Sequence, residues 1–494
     1  MRRRSFLALT GLAGLALTGC GGAEGNEGTL SFRNPLHIPP VLDPPPGPDG
    51  VRRFALRLQE GRSELLPGRR ARTWGVNGAH LGPTLRARRG DRVAMSVTNA
   101  LGEASTLHWH GMRLPAVMDG GPHQMVEPGA TWSPEWTVDQ PAATTWYHPH
   151  PHGRTAIHVY RGLAGMFLLD DRTDGTDGIG EAGEADGPGL PRAYGKDDVP
   201  LIIQDRKFTE DGELDEDFGG TFGPLGDDVL INGTYAPFFR VTTSRVRFRL
   251  LNGSNAHVFT VGFADEREFH VVAGDAGLLS RPVAVRRLRI SPGERFEIVA
   301  SFEAGENVLL KGFPDGDEIE EGSYDLLKLT AAPRLAPSAP LPARLAALAP
   351  PAEGDRTRTF TLYGSHINGE PMDMARIDEV VPAGAREIWE LDNITFSHNF
   401  HIHEVVFRVL DIDGERPPAH LRGPKDTVYV PGKTKVRLAV EFGRHTDPKT
   451  PYMYHCHILK HEDKGMMGQF VIVPPGTEDT TPRRLAPSGH TGHH

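Results

Sequence analysis

Cysteine is nearly absent: 494 residues contain two, Cys20 and Cys456. A disulfide framework is therefore excluded, and once Cys20 is set aside a single thiol remains. Long apolar runs are missing as well. The stretch from Phe6 to Leu17 is too short to span a bilayer comfortably. Charge of one sign never accumulates into blocks, so the formal net charge of -10 supports solubility and gives no electrostatic reason to expect nucleic acid as a partner. Extended helical periodicity is also lacking, and Pro342 to Leu348 is the one stretch predicted as a short helix.

What is present is turn-rich. With 58 Gly, 42 Pro and only 38% hydrophobic residues, the chain favours many short strands over long helices. Apolar residues alternate at Val93, Met95 and Val97, at Val246, Phe248 and Leu250, and at Val436, Leu438 and Val440. Period two predicts half-buried strands, and the length suggests about three domains. All-β is the expected fold class.

The first twenty residues predict an exported protein. Arg3-Arg4 precede the apolar run, which closes on Leu17-Thr18-Gly19-Cys20. The pair resembles a twin-arginine (Tat) export signal, and the closing tetrapeptide resembles a lipoprotein processing site with Cys20 as the acylated residue. Mature protein then begins at Cys20, on the periplasmic or extracytoplasmic face of the membrane. A cut elsewhere would leave a free soluble protein.

A weak repeat sets the architecture. Asn77-Gly78 leads to Asn99, Asn232-Gly233 to Asn252, and Asn368-Gly369 to Asn393. Three similar units imply three similar β-domains, expected at 30–172, 196–332 and 356–475. A Gly/Asp/Glu-rich stretch separates the first two, a Pro/Ala-rich linker at 333–355 separates the last two, and a polar tail at 476–494 ends in His490, His493 and His494. That tail is read as a polar end, with copper scavenging as the alternative.

Histidine falls into four clusters: His108-Trp109-His110, His148-Pro149-His150-Pro151-His152, His398-Asn399-Phe400-His401-Ile402-His403, and His455-Cys456-His457 followed by His461 and Met466. One His-x-His alone is usually a pair of exposed polar side chains. Four, with two of them at nearly the same offset in matched units, point to metal. The middle unit has only His257 there, an ordinary strand histidine, and is expected to be metal-free.

Strand geometry explains the spacing, because residues i and i+2 share a face. His455 and His457 look one way and Cys456 the other. A metal on the thiolate and others on its flanking imidazoles are then joined by a short covalent route for electrons. Two imidazoles, a thiolate and a weak axial thioether make a blue-copper site. Cys456, His461 and Met466 supply three of those ligands and His398 can supply the fourth. Zinc is the competing reading, but it seldom uses a thioether.

On these clusters, and on Thr73-Trp74-Gly75, Asp139-Gln140-Pro141-Ala142-Ala143, Arg161-Gly162-Leu163-Ala164-Gly165, Leu250-Leu251-Asn252-Gly253 and His461-Glu462-Asp463-Lys464-Gly465-Met466-Met467-Gly468, the chain resembles the multicopper oxidases. It looks specifically like bacterial copper-efflux oxidases and bilirubin-oxidase-like laccases, from about Leu36 to Val473. The resemblance implies three cupredoxin domains and four copper ions. Type 1 copper would sit on His398, Cys456, His461 and Met466. Type 2 would take His108 and His401, and the binuclear type 3 pair would take His110, His148, His150, His403, His455 and His457. His152 would be a neighbouring or structural residue. Asp119 and Glu462 would relay protons or orient water and imidazoles; as a plain residue, Asp119 is also a turn carboxylate before two glycines.

The implied activity is one-electron oxidation of a small donor at type 1 copper, coupled to four-electron reduction of dioxygen to water, in a monomer with a role in copper homeostasis. One departure bears on the donor. Copper-efflux oxidases carry a methionine-rich insert and an acidic residue and a methionine shortly before the type 1 histidine. This chain has 11 Met in all, and Ile394 and Phe396 at those places. That favours phenols, bilirubin-like compounds or aromatic amines over cuprous ion, although Met372 and Met374 are candidates for cuprous binding. Two non-enzymatic alternatives stand beside this: a copper-buffering lipoprotein without turnover, and a scaffold like the cell-division relatives that lack copper ligands. Every ligand position is filled here, which argues against the scaffold.

Overall fold

Asparagine side chains organise each third of the chain. In a computed structural model, Asn77, Asn232 and Asn368 all take left-handed backbone, with φ of 56°, 52° and 55°. Each uses Oδ1 to accept the N–H of a preceding strand, from Arg57, Ile202 and Thr361 at 2.7, 2.8 and 2.8 Å. The second asparagine of each unit, Asn99, Asn252 or Asn393, donates Nδ2 to two backbone carbonyls, or three at Asn393, and accepts the N–H two residues on. Asparagine tolerates this conformation and bonds locally, so the repeat seen in the sequence is a repeated turn chemistry.

The structure describes residues 25–171, 189–317, 319, 322–351 and 354–486. The expected export signal with Cys20, residues 172–188 of the Gly/Asp/Glu-rich stretch and the histidines of the tail lie outside the described residues. Six sheets pack in three pairs, giving an all-β fold of three cupredoxin-like domains. The alternation predicted in strands Arg92–Asn99 and Lys435–Glu441 is observed, with Val93, Met95, Val97, Val436, Leu438 and Val440 buried. Strand Arg245–Asn252 departs from it, because its other face is buried too: Arg247 and Arg249 ion-pair there with Glu297 and Asp198, and Thr144 of the first domain joins them.

Two further differences have plain causes. Asn34–Pro35, assigned by sequence to the first domain, pairs in parallel with Pro237–Thr243 of the middle one. Pro342 to Leu348 form no helix, because Leu345 donates its N–H to the Ser280 carbonyl at 3.0 Å and buries its side chain in the middle domain's core. The α-helices present among the described residues, Thr155–Tyr160 and Leu459–Asp463, each follow a histidine cluster. Their meeting is specific, since Asp463 accepts the first-turn N–H groups of Thr155 and Ala156 at 2.8 and 3.1 Å.

Under the third domain's sheets, Trp389 stacks obliquely on Phe360 and edge-on to Tyr454, with centroids 4.4 and 5.5 Å away. This aromatic core supports strand Tyr452–Cys456, which runs between His398–Ile402 and Met467–Val473. His401 pairs directly with His455. In the first domain His108–His110 pairs with Ala143–His148, placing His148 opposite His108. The two sheets meet along these strands.

Candidate metal centre

Cys456 ends its strand, buried, with Sγ 3.5 Å from His398 Nδ1 and 3.6 Å from His461 Nδ1. His398 opens the neighbouring strand and His461 lies in the short helix that follows. Burial pushes the thiol up to about 12, against the pull of N–H groups from Ile458 and Asn399. Burial likewise lowers His398 to about 3 and His461 to about 4. A soft thiol facing two neutral imidazoles is a donor set suited to a soft cation. Met466 is fully buried beside it: its carbonyl accepts the Cys456 N–H at 3.1 Å and its N–H donates to His461 at 2.9 Å.

Eight other imidazoles converge between the first and third domains, every one buried. His150 and His403 each bring Nε2 to 3.2 Å from His455 Nε2. His110 Nδ1 lies 3.4 Å from His148 Nε2, and the His457 ring centroid lies 5.1 and 5.2 Å from theirs. His108 and His401 donate Nδ1–H to the carbonyls of Asp119 and Asp426 at 2.9 and 2.8 Å, so their Nε2 atoms are buried without a partner. Such unpartnered lone pairs, facing one another, fit metal ions.

Electrostatics agree with that fit. Burial first, then neighbouring imidazoles, hold His110, His401 and His403 well below the ordinary histidine value, and burial with its neighbours takes His457 to about 3. Burial also lowers His150 to about 4, although Glu462 opposes it. These rings are neutral and ready to donate.

Two carboxylates face the cluster. Asp119 Oδ2 lies 2.7 Å from His403 Nδ1. Glu462 lies 3.2 Å from His455 Nδ1 and 3.4 Å from His150 Nδ1, without a well-formed hydrogen bond at either oxygen. Burial raises both acids, yet His403 and His108 hold Asp119 low and His150 and His455 hold Glu462 low. Asp119 is a turn residue as well: Gly120 follows with φ of 76°, where any Cβ would strike the Leu107 carbonyl.

Sequence reasoning missed Asp426, whose Oδ1 lies 3.1 Å from His110 Nε2. It sits between Lys425 and Thr427 with no histidine nearby in sequence, so spacing carried no signal. Glu404 was also missed. Directly after His403, it adopts φ of 69°, accepts the Gly443 N–H at 3.0 Å, and is raised by burial to about 7.

Other predicted residues lie apart. His152 is exposed rather than packed into the cluster. His257 stacks on Phe259 at 4.3 Å as a core residue, and among the described residues every group able to hold a metal comes from the first and third domains. Phe222, from the middle domain, and Phe396 cover the sulfur-side imidazoles, with centroids 5.7 and 5.4 Å from His461. Ile394 and Tyr363 are half exposed or more nearby in sequence and strand pairing, Ile394 donating its N–H to Leu362. Met372 packs half-buried against Gly465, to whose carbonyl it donates.

Family profiles described as multicopper oxidase match residues 57–174, 203–308 and 341–476. The chain is 33% identical over 456 residues to the multicopper oxidase mco of Staphylococcus haemolyticus, covering 89% of this chain and 93% of that one. It is also 33% identical over 492 residues to the cell division protein FtsP of Escherichia coli, covering 96% and 99%. Among solved structures, the laccase-like multicopper oxidase CueO of an Ochrobactrum species superposes with a TM-score of 0.80 at 38% identity, covering 89% of this chain and all of that one.

Proposed function

This chain belongs to the multicopper oxidase family, copper-dependent oxidoreductases that use dioxygen, and from that premise we propose that it oxidises small aromatic donors at Cys456 and reduces dioxygen at the eight-histidine cluster. The single observation that supports the reading most is the position of Cys456, bonded between His455 and His457. Its thiol faces His398 and His461 while both neighbours face the cluster.

Four coppers are proposed: one on His398, Cys456, His461 and Met466; one on His108 and His401; and a pair on His110, His148 and His457 and on His150, His403 and His455. When bound they supply one-electron acceptance at the sulfur and four-electron delivery to dioxygen. The residues do the rest. The backbone of His455–His457 provides a covalent path from sulfur to two imidazoles. Carbonyls of Asp119 and Asp426 fix the tautomers of His108 and His401, and full burial excludes bulk water. Asp119 and Glu462, held ionised, accept and pass the protons that water formation consumes.

Phe222 and Phe396 support an organic aromatic donor over cuprous ion, because an apolar cover stacks with rings and offers no charge or thioether. We also place the domains at 30–172, 196–332 and 356–475, with Asn34–Pro35 laid on the middle domain's sheet, and propose an exported monomer anchored through lipid on Cys20. No helix of the described residues is long and apolar enough to cross a membrane.

The test is to load the purified protein with copper and to measure oxygen uptake and peroxide release with a phenol, bilirubin and cuprous ion in parallel. Oxygen uptake without peroxide, fastest with an organic donor, is expected. Copper retention with no uptake would indicate a copper buffer instead, and preference for cuprous ion would overturn the donor assignment.

A further inference from the structure

Beyond this reading, and resting on its oxygen-reducing cluster, we infer that Arg295 of the middle domain is a positioning residue for that cluster. The middle domain supplies none of the proposed ligands, yet this guanidinium, fully buried, reaches out of it. Nε donates to the Thr144 carbonyl of the first domain at 2.9 Å. Nη1 and Nη2 grip both carboxylate oxygens of Asp426 in the third domain at 2.7 and 2.6 Å, and also donate to the Gly293 and Asp275 carbonyls at 3.0 and 3.1 Å. One side chain therefore ties all three domains together at this point.

What it grips matters. His110 turns Nδ1 toward His148, so the proton on its other nitrogen, Nε2, points at Asp426 Oδ1 at 3.1 Å and Thr427 Oγ1 at 3.0 Å. The Asp426 carbonyl takes the Nδ1–H of His401. A single residue thus orients one ring proposed for the pair and one proposed for the lone cluster copper. Carboxylates behind ligating histidines fix ring orientation and basicity. An ionised carboxylate buried without a countercharge is strongly unfavourable, and Arg295 supplies that charge in forked geometry.

The sequence is shaped around this pair. Gly111 follows His110 with φ of 89°, and a Cβ there would stand 2.6 Å from Arg295 Nη2 and 2.8 Å from Asp426 Oδ2. Behind the pair, Lys425 Nζ lies 2.9 Å from Asp275 and 3.0 Å from Glu294, so the ion network continues into the middle domain. The sulfur site lies outside it.

The test compares copper-loaded parent, Arg295→Met and Arg295→Lys for loss of copper to a competing chelator. The blue absorption reads the Cys456 site, and the near-ultraviolet and electron paramagnetic resonance signals read the cluster. Arg295→Met is expected to hold cluster copper about 10- to 100-fold more weakly, with the blue band and the donor KM unchanged. Arg295→Lys keeps the charge but cannot span both oxygens and Thr144, so an intermediate loss is expected. Parental retention in Arg295→Met, or in Arg295→Lys should the methionine variant fail to fold, overturns the inference. A parent without cluster copper signals would instead overturn the oxidase reading beneath it.

Discussion

Asp119 in the first domain holds its Oδ2 2.7 Å from Nδ1 of His403 in the third, across 284 residues of sequence. The contact leaves His403 Nε2 free to face His455 and His150, so one carboxylate sets a tautomer and clamps two domains. Asp119→Asn removes the charge while keeping the shape. Oxygen turnover is expected to fall about 10- to 100-fold with the blue absorption retained. Parental turnover in steady-state oxygen uptake would contradict the role.

Acid should destabilise the metal-free chain. Burial holds His398 and His457 near 3 and His150 and His461 near 4, whereas an unfolded histidine titrates near 6.5. Between these values the unfolded chain binds more protons, so stability falls as pH drops from about 6.5 toward 4. Asp275, Glu404 and Asp463, raised by burial to about 6, 7 and 8, work in the opposite direction. The lowered site histidines, which also include His110, His148, His401 and His403, outnumber them. The melting temperature of copper-free protein is expected to drop on acidification over this window; a constant or rising value would count against neutral buried imidazoles.

Donor choice should follow the aromatic cover. Converting Ile394→Asp together with Phe396→Met replaces apolar surface by charge and thioether beside His398. Cuprous oxidation is expected to rise relative to phenol oxidation in paired kcat/KM measurements. An unchanged ratio would show that the cover does not select the donor.

The third domain's core should be costly to hollow out. Trp389 is fully buried against Phe360, Phe442 and Tyr454. Trp389→Ala is expected to destabilise by about 3–5 kcal/mol in denaturant unfolding. A loss under about 1 kcal/mol would mean that this core does not support strand Tyr452–Cys456.

Local rules made much of this legible. Period-two alternation marked Val93 to Val97 and Val436 to Val440, and the Asn-Gly repeats marked equivalent turns. His-x-His spacing marked the strands that meet. What escaped was non-local. Asp426 and Arg295 reach the cluster only through pairing of distant strands, and Glu404 hid as an ordinary acid after a motif. The burial of Arg247 and Arg249 has no signal in the sequence, because nothing in their own strand announces a neighbouring domain. The helices Thr155–Tyr160 and Leu459–Asp463 are too short for periodicity to register.

The most direct test replaces the sulfur alone. Copper-loaded Cys456→Ser, compared with parent by visible absorption, cluster signals and oxygen uptake on one preparation, is expected to keep its fold and cluster copper while losing the blue band and turnover. A serine variant that stays blue and consumes oxygen at the parental rate would contradict the account.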